Sequence, residues 1–219
     1  MPPKRIGQSE RGDRRRDAFL SALAELIEER PYHEITVNEI AARAGATRPV
    51  FYFYFPTKGA ALAAVLGEFT EQLLQATKEL WVERDTSPRV SVAHGTRHTV
   101  ELWSSHARRF VALLDAEASD PEAARAWADF RARMAAFIAP VVEQERADGV
   151  ATEGPPAATY VRILLGMNWQ AFETEVRQIV ATGQRTPGLA EALTEIWIRA
   201  LYEPLTGLGT NRSGNDHHA

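Results

Sequence analysis

Residues 36–58 read TVNEIAARAGATRPVFYFYFPTK, a stretch that constrains the fold more than any other because it sets two short helices on either side of a glycine turn. Thr36 and Glu39 stand at the spacing of a capping box, in which a hydroxyl and a carboxylate satisfy each other's backbone donors at a helix start. Val37, Ile40, Ala41 and Ala44 then fall on one helical stripe. Gly45 follows at once and can take the left-handed conformation that stops a helix. Thr47 offers a second capping hydroxyl, and Pro49 is tolerated in a first turn, where backbone N–H groups have no intrahelical partner. Helix, tight turn and helix make a helix-turn-helix, whose second helix enters the major groove of DNA.

That second helix reads VFYFYF over residues 50–55, with five aromatics in six positions. A water-exposed helix does not display them all. Phe51 and Phe55, at i and i+4, are expected to pack inward, leaving Tyr52 and Tyr54 to offer hydroxyls to phosphates beside Arg48. Lys58 opens the next helix, where a cation and free N–H groups can share a phosphate. The competing reading is an aromatic core turn without a ligand.

A net charge of −4 argues against nucleic acid until its distribution is read. Residues 1–60 carry 10 Lys/Arg and 8 Asp/Glu, whereas residues 61–219 carry 15 and 21. The local sign governs, since phosphates are felt only within about 8–10 Å. The absence of cysteine excludes a disulfide scaffold and a thiolate zinc site. With no membrane-length apolar run and no apolar segment near the N-terminus, the expected location is the cytoplasm, away from any membrane.

Outside the motif the pattern is helical, and no segment alternates as a strand does. Residues 1–12 are expected to be a mobile basic arm with Lys4, Arg5 and Arg11, ahead of a helix faced by Phe19, Leu23, Leu26 and Ile27. Arg14, Arg15 and Arg16 fit a DNA-contacting arm and a solvated helix start equally well. A helix is expected from Lys58 or Gly59 to about Arg84, another over 93–116 with a bend near Ser104–Ser105, and a third over 121–147 kinked at Pro140. Helices over 157–181 and 189–202 follow, then a disordered tail over 206–219. The division is thus arm 1–12, DNA-binding domain 13–60, helical domain 61–205 and tail. The last two helices carry broad apolar stripes and form the expected homodimer surface, with Trp197 and Leu201 at its centre; an intrachain core would show the same stripe.

Large side chains gather in the middle helices, among them Trp103, Phe110, Trp127, Phe130, Trp169 and Phe172. They suit a core or a cavity. Asn168, set in the apolar stretch ILLGMNW, favours a cavity because its buried amide needs a partner. His94, His98 and Glu101 could share a helix face, but no further ligand at metal-site spacing accompanies them, so no metal or other cofactor is expected. No catalytic motif stands out.

The stretch ITVNEIAARAGATRPVFYFYFPTKGAALAAVL resembles the DNA-binding region of the TetR family of transcriptional regulators. The matching residues are Thr36, Ala41, Gly45, Tyr52, Phe55 and Lys58, and FYFYFPTK is most similar to the ethionamide-activation repressor branch. Weaker echoes of that branch are SSH at 104–106, Trp127, EQERADG at 143–149, MN at 167–168 and IWIRALY at 196–202. The resemblance implies an all-α fold: a three-helix DNA-binding domain and a C-terminal helical domain that binds a small molecule and dimerises. The DNA-facing set would be Thr36, Asn38, Thr47, Arg48, Val50, Tyr52, Tyr54 and Lys58. The ligand channel would be lined by Thr99, Trp103, Trp127, Met134, Ile138, Asn168, Trp169 and Phe172. Trp169 stands where the branch has an acid and Arg131 where it has an apolar residue, so ligand identity does not transfer. The implied partners are palindromic or pseudo-palindromic operator DNA and a small hydrophobic or aromatic effector that releases it. A hydrophobic-ligand carrier with a vestigial DNA head is the alternative.

Overall fold

The first helix, α1 (Ile6–Glu29), buries Phe19, Leu23, Leu26 and Ile27, the stripe read from the sequence. It belongs to a computed structural model that describes residues 6–81 and 87–203, excepting the side chains of 6–11, 68–69 and 79–81. Residues 6–12, expected in the arm, are the first turns of α1; Lys4 and Arg5 lie outside the described residues, as does the tail.

After Pro31, a 3-10 turn (Tyr32–Glu34) leads to α2 (Val37–Arg43) and α3 (Arg48–Tyr54). Both partners of the Thr36–Glu39 capping box are in place. Gly45 has φ 63°. Around it Ala46 N–H donates to Ala41 O at 2.8 Å and Gly45 N–H to Ala42 O at 3.1 Å, the paired bonds of a Schellman stop. The Gly45 conformation is one that a side chain would strain.

One long helix was expected from Lys58; the chain instead forms α4 (Lys58–Val65) and α5 (Gly67–Trp81). The break falls at Leu66, followed by glycine, the weakest non-proline helix former. The expected end near Arg84 lies outside the described residues. α6 (Pro88–Ser105) starts earlier than expected, with Pro88 in its first turn. It is broken from α7 (Ala107–Glu117) at His106, whose φ −120° and ψ 30° are not helical. Ser105 Oγ takes the carbonyls of Glu101 and Leu102 there, the hydroxyl competition that bends helices. α8 (Pro121–Ala147) runs through Pro140, and α9 (Ala157–Thr182) ends at Gly183, whose φ is 73°. α10 (Leu189–Tyr202) completes the fold.

All the elements among the described residues are helical, and none of these helices is by itself long and apolar enough to cross a membrane. α1, α2 and α3 form the reading head around Phe19, Phe51, Phe55 and Ile40. The head rests on α4 and α7, and α4 packs in turn on α8. α10 lies along α6, while α9 packs on α7 and α8. Trp197 and Leu201, placed on a dimer surface by the sequence reading, are instead inside this chain's own core at 3% and 0% exposed. Because α10 has α6 beside it, half of its apolar stripe is consumed within the subunit. Ile163 on α9 and Ala192 and Ile196 on α10 are exposed.

Candidate DNA-reading face and effector cavity

Two helices set the reading face. Phe51 and Phe55 anchor α3 edge-on against Phe19, with ring centroids 5.4 and 6.4 Å away. That contact turns Arg48, Val50, Tyr52 and Phe53 outward. Thr47 caps the helix only by position, since its exposed hydroxyl makes no capping bond. Arg48 lies along Tyr52, guanidinium to ring 5.5 Å and Nη2 to hydroxyl 3.4 Å. Asn38 is exposed on α2.

Other cations of the head are engaged inside it. Arg15 Nη1 donates to Ala44 O and Gly45 O at 3.3 and 3.2 Å, so this member of the arginine cluster closes the turn between the two helices. Arg43 pairs with Glu29 and Arg30 with Glu39. Lys58 departs from expectation: its Nζ donates to Tyr32 O at 2.9 Å and Ile35 O at 2.7 Å, 4.0 Å from the Tyr32 ring centre. It braces the chain leading into α2, with its ammonium turned to backbone carbonyls of the head. Burial pushes its pKa down. Thr36 is exposed with its hydroxyl on Glu39 Oε2 at 2.7 Å, and Tyr54 is half-buried, 5.9 Å from Phe19.

Where α4 meets the helical domain, one carboxylate serves two helix starts. Asp120 Oδ1 accepts from Glu122 N–H and Ala123 N–H at 2.9 and 3.2 Å, capping α8. Its Oδ2 accepts from Gly59 N–H of α4 at 3.2 Å. Burial alone would raise its pKa, but hydrogen bonds from Thr57, Ala123, Glu122 and Gly59 hold it below the usual value.

The helical domain contains an inner cavity of about 60 Å³ between α5, α6, α8, α9 and α10. Six of the eight residues expected to line a channel are on its wall: Thr99, Met134, Ile138, Asn168, Trp169 and Phe172. Trp103 lies behind, stacked on Phe110 at 3.9 Å and tilted against Phe172 at 5.1 Å. Asn168, expected to be buried, is half-buried, and Trp197 Nε1 donates to its Oδ1 at 3.1 Å. Trp127 belongs to an outer groove of about 510 Å³ with Arg131, Gly166 and Arg162. Leu165 and Trp169 line both spaces and so divide them. The indole nitrogens of Trp103 and Trp127 and the Ser104 hydroxyl are buried without hydrogen-bond partners. His94 and His98 are exposed, and Glu101 pairs with Arg185 at 2.9 Å; no metal-holding group of three such residues occurs among the described residues.

Sequence reasoning did not single out Phe53, which is 83% exposed on α3. Its position between two tyrosines, off the Phe51–Phe55 stripe, was the available signal. It also passed over Asp120, although Asp directly before a helix-opening Pro is a readable cap.

Residues 19–65 match the family described as bacterial regulatory proteins, tetR family, and residues 92–203 match the C-terminal domain of the transcriptional regulator EthR. The chain belongs to the TetR family. EthR of Mycobacterium tuberculosis is 31% identical over 197 residues, 87% of this chain and 88% of that one. EthR of Mycolicibacterium smegmatis is 28% identical over 199 residues, 89% of each. Among solved structures, Thermus thermophilus FadR in complex with lauroyl-CoA superposes with a TM-score of 0.66 at 22% identity, covering 91% of this chain and all of that one. This TetR-family chain is accordingly a DNA-binding transcriptional regulator and not an enzyme.

Proposed function

We propose that the chain is a homodimeric repressor that reads a two-fold operator with α3 and is released by a small, largely apolar effector entering the inner cavity. The observation that carries the first half is the outward face of α3. Arg48 meets only Tyr52 among the described residues, and Phe53 beside them is 83% exposed. Arg48 can read a guanine edge, Tyr52 and Thr47 can reach phosphates, and Phe53 can lie on thymine methyls. Dimerisation is assigned to the outward stripe of α9 and α10, where Ile163 is 60% and Ile196 42% exposed.

The second half rests on the size of the inner cavity. At about 60 Å³ it is too small for an effector molecule, which commonly needs a cleft of about 300–1,000 Å³. An apolar guest must therefore displace the walls, and it binds the displaced state in preference to the closed one. That differential affinity is what release requires. The same fold holds lauroyl-CoA in T. thermophilus FadR, so a guest with a long apolar chain is compatible with it. Asn168 supplies the polar contact on the cavity wall, and Trp169 and Phe172 supply the aromatic ones.

Selection of duplexes from a random pool tests the reading. The protein should enrich a two-fold sequence and hold it with a steep salt dependence, as phosphate contacts do. Arg48→Ala should relax the preference at one base pair of each half-site by about 1–3 kcal/mol. Replacing thymine by deoxyuridine should weaken wild type but leave Phe53→Ala unaffected. Enrichment of no sequence at all would favour the carrier alternative.

A further inference from the structure

The Asp120 carboxylate occupies an unusual position, between a helix of the effector domain and a helix attached to the reading head. Its Oδ1 holds the first N–H groups of α8 at 2.9 and 3.2 Å, while its Oδ2 holds Gly59 N–H of α4 at 3.2 Å. While the carboxylate stays in place, the approach leaves no room for a side chain at residue 59. A Cβ on Gly59 would stand 2.3 Å from the Asp120 carboxyl carbon, far inside contact distance. Both hydrogen-bonding ends are backbone N–H groups at helix starts, where donors have no partner within the helix and a carboxylate is favoured.

The connection continues into the reading head on the other side. Lys58, beside Gly59, holds the carbonyls of Tyr32 and Ile35, and Ile35 directly precedes the Thr36 cap of α2. Arg15 then ties α1 to the turn before α3. In the opposite direction, α8 supplies Met134 and Ile138 to the inner cavity and Trp127 and Arg131 to the outer groove. α8 is thus part of the wall around the cavity, and its start is fastened to the start of α4 through one side chain.

We propose that Asp120 is the positioning residue of this regulator, its carboxylate being the joint that sets the angle of the reading head on the helical domain and hence the spacing of the two reading helices. The inference rests on the reading of the chain as a dimer on a two-fold operator. Spacing is the property such a joint controls, because a symmetric helix-turn-helix dimer must present its recognition helices one helical turn of DNA apart.

The test uses the duplex that wild type selects from a random pool, the same duplex with one base pair inserted or removed between half-sites, and a single half-site. Asp120→Ser keeps a capping hydroxyl for α8 but is too short to reach α4. Gly59→Ala reaches the joint from the other side, by driving the carboxylate away. Both variants should keep wild-type affinity for the single half-site and dimerise normally. Both should bind the full site more weakly and lose the discrimination between spacings, on the scale of about 5- to 150-fold typical of coupled sites. The double variant should be no worse than either single one, since serine leaves room for the added methyl group. Should Asp120→Ser fail to fold, Gly59→Ala carries the same expectation. Retained spacing discrimination in folded variants overturns the joint, and so does a loss on the single half-site equal to that on the full site, which would mark a merely structural role. If wild type selects no two-fold sequence, the operator reading fails first and takes the joint with it.

Discussion

The reading head and the helical domain are both helical, yet they satisfy their polar groups to different degrees. In the head the cap of α2 is closed from both sides, its C-terminal carbonyls are met by Arg15, and Lys58 satisfies two more carbonyls. In the helical domain two tryptophan indoles and a serine hydroxyl are buried without hydrogen-bond partners among the described residues, against Arg30 Nε in the head. Buried donors left unpaired cost free energy, about 1–3 kcal/mol each in the cost of desolvation. A template for a fixed DNA groove benefits from being over-determined. A domain that must admit a guest benefits from groups that the guest or its water can satisfy.

The comparison breaks most visibly at the subunit surface. Leu201 is fully buried under α6, so Leu201→Glu should unfold the helical domain, at a cost of more than about 5 kcal/mol from lost burial plus an unpaired charge. Ile196→Glu, on the outward side of the same helix, should give folded monomers with weakened operator binding. Sedimentation together with thermal melting separates the two. A folded monomer from Leu201→Glu would mean that α10 does not pack as described.

Within the cores, Phe51→Ala removes a ring that is 0% exposed and should cost about 3–5 kcal/mol. Met134→Ala, on the wall of an existing cavity, should cost about 2 kcal/mol, the low end of its class. Urea unfolding of both variants measures the difference in packing. Equal costs would show the effector domain to be as tightly determined as the head.

Much of the head was legible because its determinants are local. Thr36 with Glu39, Gly45, Pro49 and the Phe51–Phe55 pair act within four residues of chain, and each does what its spacing implies. Lys58 was misread because its partners, Tyr32 and Ile35, lie more than 20 residues earlier and offer backbone carbonyls, which no residue pattern displays. Trp197 and Leu201 were misread for a related reason: a stripe shows that a face is buried, not which neighbour buries it. Of the residues that the resemblance offered as channel lining, the fold brings Thr99, Met134 and Phe172 onto one cavity wall and leaves Trp103 behind it.

Lys58 offers the next sharpening. If its role is to brace the head, Lys58→Ala should destabilise the protein by about 1.5–3 kcal/mol, the range for hydrogen bonds to a charged group. The salt dependence of operator binding should stay at the wild-type slope, because no phosphate contact is removed. A slope reduced by about one would restore Lys58 to the DNA interface.

The smallest effect concerns Glu39, which joins the α2 cap to Arg30. The Thr36 backbone N–H, then the Thr36 hydroxyl and Arg30, hold its carboxyl near a pKa of about 2, below the ordinary 4.5. A carboxylate whose pKa is depressed by folding stabilises the folded state above its unfolded value and loses that contribution as pH falls through the folded one. The cap therefore contributes in full above about 4.5 and fades toward 2. Glu39→Gln keeps an acceptor for the Thr36 N–H but cannot titrate. The urea midpoints of wild type and Glu39→Gln should differ near neutral pH and converge as acid protonates the wild-type side chain. If the gap stays constant on acidification, the charge of Glu39 adds nothing to the cap, and the head owes its rigidity to hydrogen-bond geometry alone.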